Sequence, residues 1–251
     1  MRSGNPVLQD KAFQRLPATG ARMTMNGTIT RTALLLALAI LTGGWTWHIF
    51  SAMAATGNTA AAIAAVTPYM WGGLIGGFVL ALVTAFASRW SAITAPLYAL
   101  AEGFALGGIS SVLELRYPGI VLQAVMLTVG VLAVMLLLYR SGLIKVTDKF
   151  RTGVMAATGA IMLLYLVDIG LRAFTSIQIP FINQSGALGI GFSLLVVGLA
   201  ALNLVLDFDM IERATEQGAP KYMEWYGAFA LMVTLVWLYM ELLRLLAKTR
   251  R

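Results

Sequence analysis

The sequence lacks cysteine and has a single histidine, His48, among its 251 residues. Without cysteine the chain cannot form a disulfide, a thiolate metal site or a cysteine nucleophile. One histidine cannot supply a histidine-rich metal site, and it gives little support to a Ser–His catalytic relay. The sequence therefore offers little cysteine or histidine chemistry. We expect that the protein is not an enzyme and that it needs no cofactor.

Charged residues are scarce as well. Only 12% of the residues are charged and 59% are hydrophobic, whereas a soluble domain is roughly one quarter charged and less than half apolar. This composition excludes an ordinary soluble enzyme and predicts a protein embedded in a lipid bilayer. The net charge of +7 is expected to orient the helices. A basic face interleaved with aromatic residues is missing, which argues against a nucleic-acid partner.

Seven apolar runs are long enough to be membrane spans, because each crossing needs about 20 residues. They cover about 32–54, 64–87, 94–114, 119–139, 152–174, 185–207 and 226–247. The sequence thus predicts an all-α integral membrane protein with seven transmembrane helices, residues 31–251, preceded by a basic cytoplasmic tail, residues 1–30. Short connections favour antiparallel hairpins.

The first run has an alternative interpretation. The small residues "AMAA" at 52–55 would suit cleavage of a signal peptide. The basic region before the run is long for a signal, and this favours a retained helix.

Basic residues predict the orientation. With the N-terminus inside, 12 of the 18 lysines and arginines lie on the inner side and 6 lie outside, as the positive-inside rule requires. The C-terminal "KTRR" does not fit, since seven crossings place it outside although it is basic. The side of the C-terminus therefore stays open.

Several ionisable residues fall within or beside the spans, where such groups are costly and commonly functional. Asp168 and Arg172 are four residues apart and can pair on one helix face. Glu241 and Arg244, three apart, can do the same. However, Arg244 can also extend toward water, and Glu241 would then need another partner.

Three further candidates have no obvious partner nearby in sequence. Glu102 lies in mid-span with no basic residue on its own helix, so it is either a protonated acid bonded across helices or a functional group. Asp207 ends predicted helix 6 and Arg89 follows helix 2; both ends point inward, which allows a contact. Asp209 and Glu212 are expected to be solvated.

Glycines at four-residue spacing, Gly72/Gly76 and Gly73/Gly77, predict close helix contacts.

Longer motifs point to a family. "LVLDFDMIE" and "LMVTLVWLYMELLRLL" resemble the last two helices of the Bax inhibitor-1 (transmembrane BAX inhibitor motif) family. "SGNPVL", "YALAEGFALGGIS", "YPGIVLQAV" and "LGIGFSLLVVGLAALNLVLDFD" resemble its bacterial Bax inhibitor-1/YccA-like branch. The resemblance covers nearly the whole chain.

This resemblance implies six helices in hairpins around a central seventh. It also implies a pH-sensitive calcium leak in the bacterial inner membrane, governed by acids of helices 6 and 7 that share a proton. By motif these acids are Asp207 and Glu241, whose carboxylates could also hold Ca²⁺ as the transported ion. Arg89 would be a latch for the helix 6 acid. Glu102 and Asp168 are secondary candidates because of their position within the spans, and not because of the resemblance.

The chain departs from the family pattern in two places. Position 241 has Glu where the family has Asp. The connection at 208–225 is long, which predicts that helix 6 continues to Gly218 and that Pro220 begins helix 7.

Other functions compete with a leak channel. The chain could be an interaction protein whose tail, residues 1–30, modulates a membrane AAA protease, as some relatives do. An intramembrane aspartyl protease would need Tyr-Asp and Gly-x-Gly-Asp settings, which "YLVDIG" and "VLDFD" do not provide. A transporter commonly shows inverted repeats, and none is evident.

Overall fold

The computed structural model describes residues 21–175 and 179–250. Its long helices are α1 (Met25–Ala54), α2 (Thr59–Phe86), α3 (Ser91–Arg116), α4 (Ile120–Arg140), α5 (Asp148–Phe174), α6 (Ala187–Glu216) and α7 (Met223–Thr249). All seven are long and apolar enough to cross a membrane. The prediction of an all-α, seven-helix membrane protein is confirmed, while the arrangement of hairpins around a central helix stays a prediction.

Polar caps move several helix starts ahead of the predicted apolar runs. The Thr24 hydroxyl accepts a hydrogen bond from the Gly27 amide at 3.0 Å, so α1 begins at Met25. Thr147 caps α5 in the same way, accepting from the Phe150 amide at 3.2 Å. These side chains satisfy amide groups that a helix start leaves unpaired. The apolar runs therefore place the starts of α1 and α5 a turn or more too late.

Residues 25–30, assigned above to the tail, belong to α1. Residues 1–20 lie outside the described part of the chain. The proposed interaction of the tail with a membrane protease accordingly stays a prediction.

For the connection between α6 and α7, the end of α6 was predicted correctly and the start of α7 was predicted wrongly. α6 continues to Glu216, and Gly218 follows with a φ of +71°, a conformation that glycine adopts easily at a helix end. Pro220 does not start α7, which begins at Met223. Pro220 instead forms an isolated antiparallel β-bridge with Arg22. Next to this bridge, the Met23 amide donates a hydrogen bond to the Ala219 carbonyl at 2.7 Å.

The chain divides into two compact units. The α1–α3 unit contains, among the described residues, 21–121 and 211–232. The α4–α7 unit contains 122–175, 179–210 and 233–250. The second half of the chain thus supplies residues to both units.

Close backbone contacts hold the α1–α3 unit together. A Cβ atom added at Gly107 would lie 2.7 Å from the Cα of Gly43, which is closer than real side chains approach. Gly73 lies similarly close to the backbone of α3, as the glycine spacing predicted, whereas Gly72 faces open space. Only one of the two glycine pairs therefore forms the close helix contact.

The α4–α7 unit has a core of larger side chains from α5 and α6. Its buried cluster consists of Val154, Ile161, Val196, Leu199 and Leu206. Partly buried aromatic residues such as Phe192 and Trp237 pack against it. This core positions the polar groups described next.

Candidate functional site

Asp207 lies inside α6, nine residues before its end at Glu216. The residue has no exposed surface, and its two neighbours in sequence, Leu206 and Phe208, are buried as well. The hydroxyl of Thr234 on α7 donates a hydrogen bond to its Oδ2 atom at 2.6 Å. The acid that seemed to end an apolar run is therefore an interior group. Such burial is costly unless the group is hydrogen-bonded.

Glu241 on α7 is the second buried acid, with 2% of its surface exposed. The hydroxyl of Tyr165 on α5 donates to its Oε1 atom at 2.9 Å. Arg244 pairs with the same oxygen at 2.8 Å and also donates to the Tyr165 oxygen at 2.6 Å. The predicted Glu241–Arg244 pair is confirmed, and Arg244 does not leave Glu241 for water.

The second oxygen of Glu241 is unusual. Oε2 is buried and has no hydrogen-bond partner among the described residues. Buried polar atoms in native proteins are paired in about nine cases of ten. This oxygen is therefore an acceptor that remains available in the middle of a spanning helix.

The two acids are held at different levels of α7. Thr234, the α7 partner of Asp207, precedes Glu241 by seven residues, which corresponds to about 10 Å along the helix axis. Each carboxylate is fixed by its own partners. A direct proton-sharing pair of Asp207 and Glu241 stays a prediction.

Lys248 is a third buried polar residue on the same face of α7, with 5% of its surface exposed. Its Nζ atom donates to the Gly189 carbonyl at 2.9 Å and to the Ser193 hydroxyl at 2.8 Å, both near the start of α6. Thr234, Glu241 and Lys248 follow one another at intervals of seven residues, hence on one side of the helix; we call these three residues the α7 polar stripe. The sequence reasoning missed Thr234 and Lys248, although this spacing was visible.

Asp209 was predicted to be solvated, and this prediction is wrong. It is buried and pairs with the buried Arg151 of α5 at 2.7 Å. The error arose because the apolar run ends at Asp207, whereas the helix and its packing continue beyond it. Glu212 is exposed, as expected.

Asp168 pairs with Arg172 at 2.9 Å, as its spacing predicted. It also accepts a hydrogen bond from the Ile179 amide at 3.1 Å, directly before a short helix at Pro180–Asn183. Because both of its oxygens are engaged in this local arrangement, Asp168 fixes the connection that leads to α6.

The remaining predicted candidates belong to the α1–α3 unit. Arg89 is exposed in a 3₁₀ turn, Ser88–Trp90. Its contact with Asp207, which lies in the other unit, stays a prediction. Glu102 is partly buried in α3 and lies against Gly77 of α2, where a Cβ atom would be 2.7 Å from its Oε2 atom. Glycine at 77 makes room for this carboxyl group.

A further buried acid, Glu224, was not recognised from the sequence. Its Oε1 atom accepts hydrogen bonds from the Thr24 amide at 2.9 Å and the Thr24 hydroxyl at 2.8 Å. Lys221 approaches it at 3.0 Å, and Arg31 pairs with Oε2. A side chain at Gly27 would run into this carboxylate. Glu224 thereby ties the start of α7 to the start of α1 within the α1–α3 unit.

No group of three or more histidine, aspartate or glutamate side chains in residues 21–175 and 179–250 could hold a metal ion. A calcium site formed by Asp207 and Glu241 alone stays a prediction.

The helices and their buried ionisable groups identify the class of protein. A chain with seven apolar helices long enough to span a bilayer, and with ionisable groups buried inside the last two, is a multi-pass membrane protein. The family profile described as Bax inhibitor 1 like matches residues 5–251. The chain belongs to this family, as its motifs indicated. No curated protein and no solved structure matches it.

Proposed function

We propose that the protein is a pH-sensitive cation leak channel that conducts calcium across the bacterial inner membrane, with its N-terminus in the cytoplasm. One observation carries the proposal: Asp207 and Glu241 are buried inside two spanning helices. Ionisable groups at such depth are expensive, and they commonly mark ion pathways or proton-responsive elements.

Protonation of Asp207 would change its bond to α7. The ionised carboxylate accepts the hydrogen bond of the Thr234 hydroxyl. A protonated Asp207 carries no charge and can itself act as a donor. The free energy of the α6–α7 contact therefore depends on pH, which is what a proton-driven shift between two helix arrangements requires.

Protonation of Glu241 would act on α5. In its ionised form Glu241 attracts Arg244 and accepts from Tyr165. Loss of the negative charge weakens this attraction, while the guanidinium carbon of Arg244 still lies 4.9 Å from the centre of the Tyr165 ring. Both proton-dependent contacts hold α7 within the α4–α7 unit, so pH would alter the packing of this one helix.

Carboxylate oxygens are also the ligands that calcium prefers. The available Oε2 atom of Glu241 and the carboxylate of Asp207 supply negative charge to an entering cation. The same two groups thus serve ion attraction and pH response, and protons and calcium would compete for them.

The experiment is calcium flux into liposomes that contain the full-length protein, measured across a range of pH. Asp207→Asn and Glu241→Gln keep the size of each side chain and remove its titration. Both variants are expected to lose most of the pH dependence, because each titrating group changes its charged-to-neutral ratio tenfold per pH unit.

The matched control is Asp148→Asn, since Asp148 lies in the first turn of α5 with 98% of its side chain exposed. This variant should keep the wild-type profile. A pH profile that both Asp207→Asn and Glu241→Gln leave unchanged would refute the proposed role of the two acids.

A further inference from the structure

The α7 polar stripe extends along much of a membrane span. Thr234 and Lys248 are 14 residues apart, which corresponds to about 21 Å of helix, against about 30 Å for the hydrocarbon core. All three residues of the stripe are buried. Each faces a different polar partner: Thr234 contacts Asp207, Glu241 contacts Tyr165, and Lys248 contacts Ser193.

Helix packing alone does not explain this stripe. Small or apolar side chains hold helices together in lipid without the cost of burying a charge. The stripe instead contains a carboxylate and an ammonium group. It also contains the buried Oε2 atom of Glu241, which has no hydrogen-bond partner among the described residues. Three polar groups about 10 Å apart, with an available acceptor on the central one, offer successive contacts to a passing ion or water.

We propose that the α7 polar stripe lines the cation route through the α4–α7 unit, and that Lys248 is the positive charge that limits entry at its C-terminal end. This inference rests on the proposed leak function and names its route. Two hydrogen bonds, to Gly189 and Ser193, fix the ammonium group at that end. A cation that passes it is repelled, whereas the carboxylates of Glu241 and Asp207 further along attract the cation.

The first test changes the charge at position 248. Lys248→Gln removes the positive charge while keeping a hydrogen-bond donor, and calcium flux in liposomes should increase by at least about tenfold, because the repulsion between charges several ångströms apart at an effective dielectric constant of about 20 exceeds what this factor requires. Lys248→Arg keeps the positive charge and should increase the rate much less than Lys248→Gln does. The control is Lys149→Gln, which makes the same charge change at an exposed position of α5 and should not alter the rate.

The second test needs no flux and uses the absence of cysteine from the chain. Ser193→Cys and Thr234→Cys each place one thiol beside the stripe, and Leu195→Cys places one on the exposed side of α6. In liposomes, a small cationic methanethiosulfonate reagent should modify the thiols of Ser193→Cys and Thr234→Cys, as detected by mass spectrometry of the intact protein. It should modify Leu195→Cys much more slowly, because the thiolate forms only in water.

The outcomes separate the route from the function. A wild-type protein that conducts calcium, together with a Ser193→Cys thiol no more reactive than that of Leu195→Cys, overturns the route and leaves the leak function standing. A Lys248→Gln rate equal to or below that of wild type overturns the role of Lys248. A reactive Ser193→Cys in a protein without calcium flux supports a water-filled route and refutes the calcium leak.

Discussion

The α1–α3 unit and the α4–α7 unit solve the same problem, helix association in lipid, by different means. In the first unit, glycine brings backbones together, as Gly43 and Gly107 do. In the second, hydrogen bonds between polar side chains join the helices, as between Asn203 and Thr158 at 2.8 Å. Since lipid offers no hydrophobic drive for helices to associate, both means are physically reasonable. In the second unit, the hydrogen-bonded groups include the buried acids Asp207 and Glu241, on which protons or cations could act.

The largest effect is expected at the buried ion pair of the α4–α7 unit. Arg151→Met leaves the buried Asp209 without its arginine and should lower the free energy of unfolding by about 3 kcal/mol. Unfolding by denaturant in detergent would measure it. The double variant Arg151→Met/Asp209→Leu should recover most of the loss, because no isolated charge then remains buried.

If the double variant were as unstable as Arg151→Met alone, the Arg151–Asp209 pair would stabilise the protein through side-chain packing and not through its charges. The contrast between a polar and an apolar unit would then be weaker than proposed.

A somewhat smaller effect is expected from a methyl group in the α1–α3 unit. Gly107→Ala would place a Cβ atom 2.7 Å from the Cα of Gly43, so α1 and α3 must separate, at a cost of about 2 kcal/mol. Gly130→Ala in α4, where the added atom meets nothing within 4 Å, should be neutral or slightly stabilising. Equal stability of the two variants would show that close backbone contact is dispensable.

The smallest effect is expected from Tyr165→Phe. This change removes the hydroxyl that donates to Glu241 and accepts from Arg244, and it should cost about 1 kcal/mol of stability. Because Glu241 loses one of its hydrogen-bond donors, the rate of calcium flux in liposomes should also change. Tyr69→Phe, on the exposed surface of α2, is the control that should change neither quantity.

Structural features that depend on residues close together in the sequence were predicted correctly. The spans follow from hydropathy, and the pairs Asp168–Arg172 and Glu241–Arg244 follow from spacing within one helix, as the structure confirms. Contacts between helices could not be predicted in this way. Helical periodicity shows that Thr234 shares a face with Glu241, but it does not show that Asp207 lies opposite.

The error at Asp209 has the same origin. A linear hydropathy profile treats the end of the apolar run at Asp207 as the edge of the membrane, whereas α6 continues for nine more residues to Glu216. Arg151, which neutralises Asp209, is 58 positions away in sequence. No local pattern connects two residues at that separation.

The carboxylate of Glu224 has a consequence for the order in which the protein can be made. Thr24 and Arg31 emerge early in synthesis, yet the group that satisfies them emerges only about 200 residues later. Until then the first helix carries a cation and a hydroxyl whose counterpart has not been synthesised. A nascent chain released before residue 224 lacks this carboxylate. Its α1–α3 unit should therefore be less stable and more readily degraded by membrane proteases.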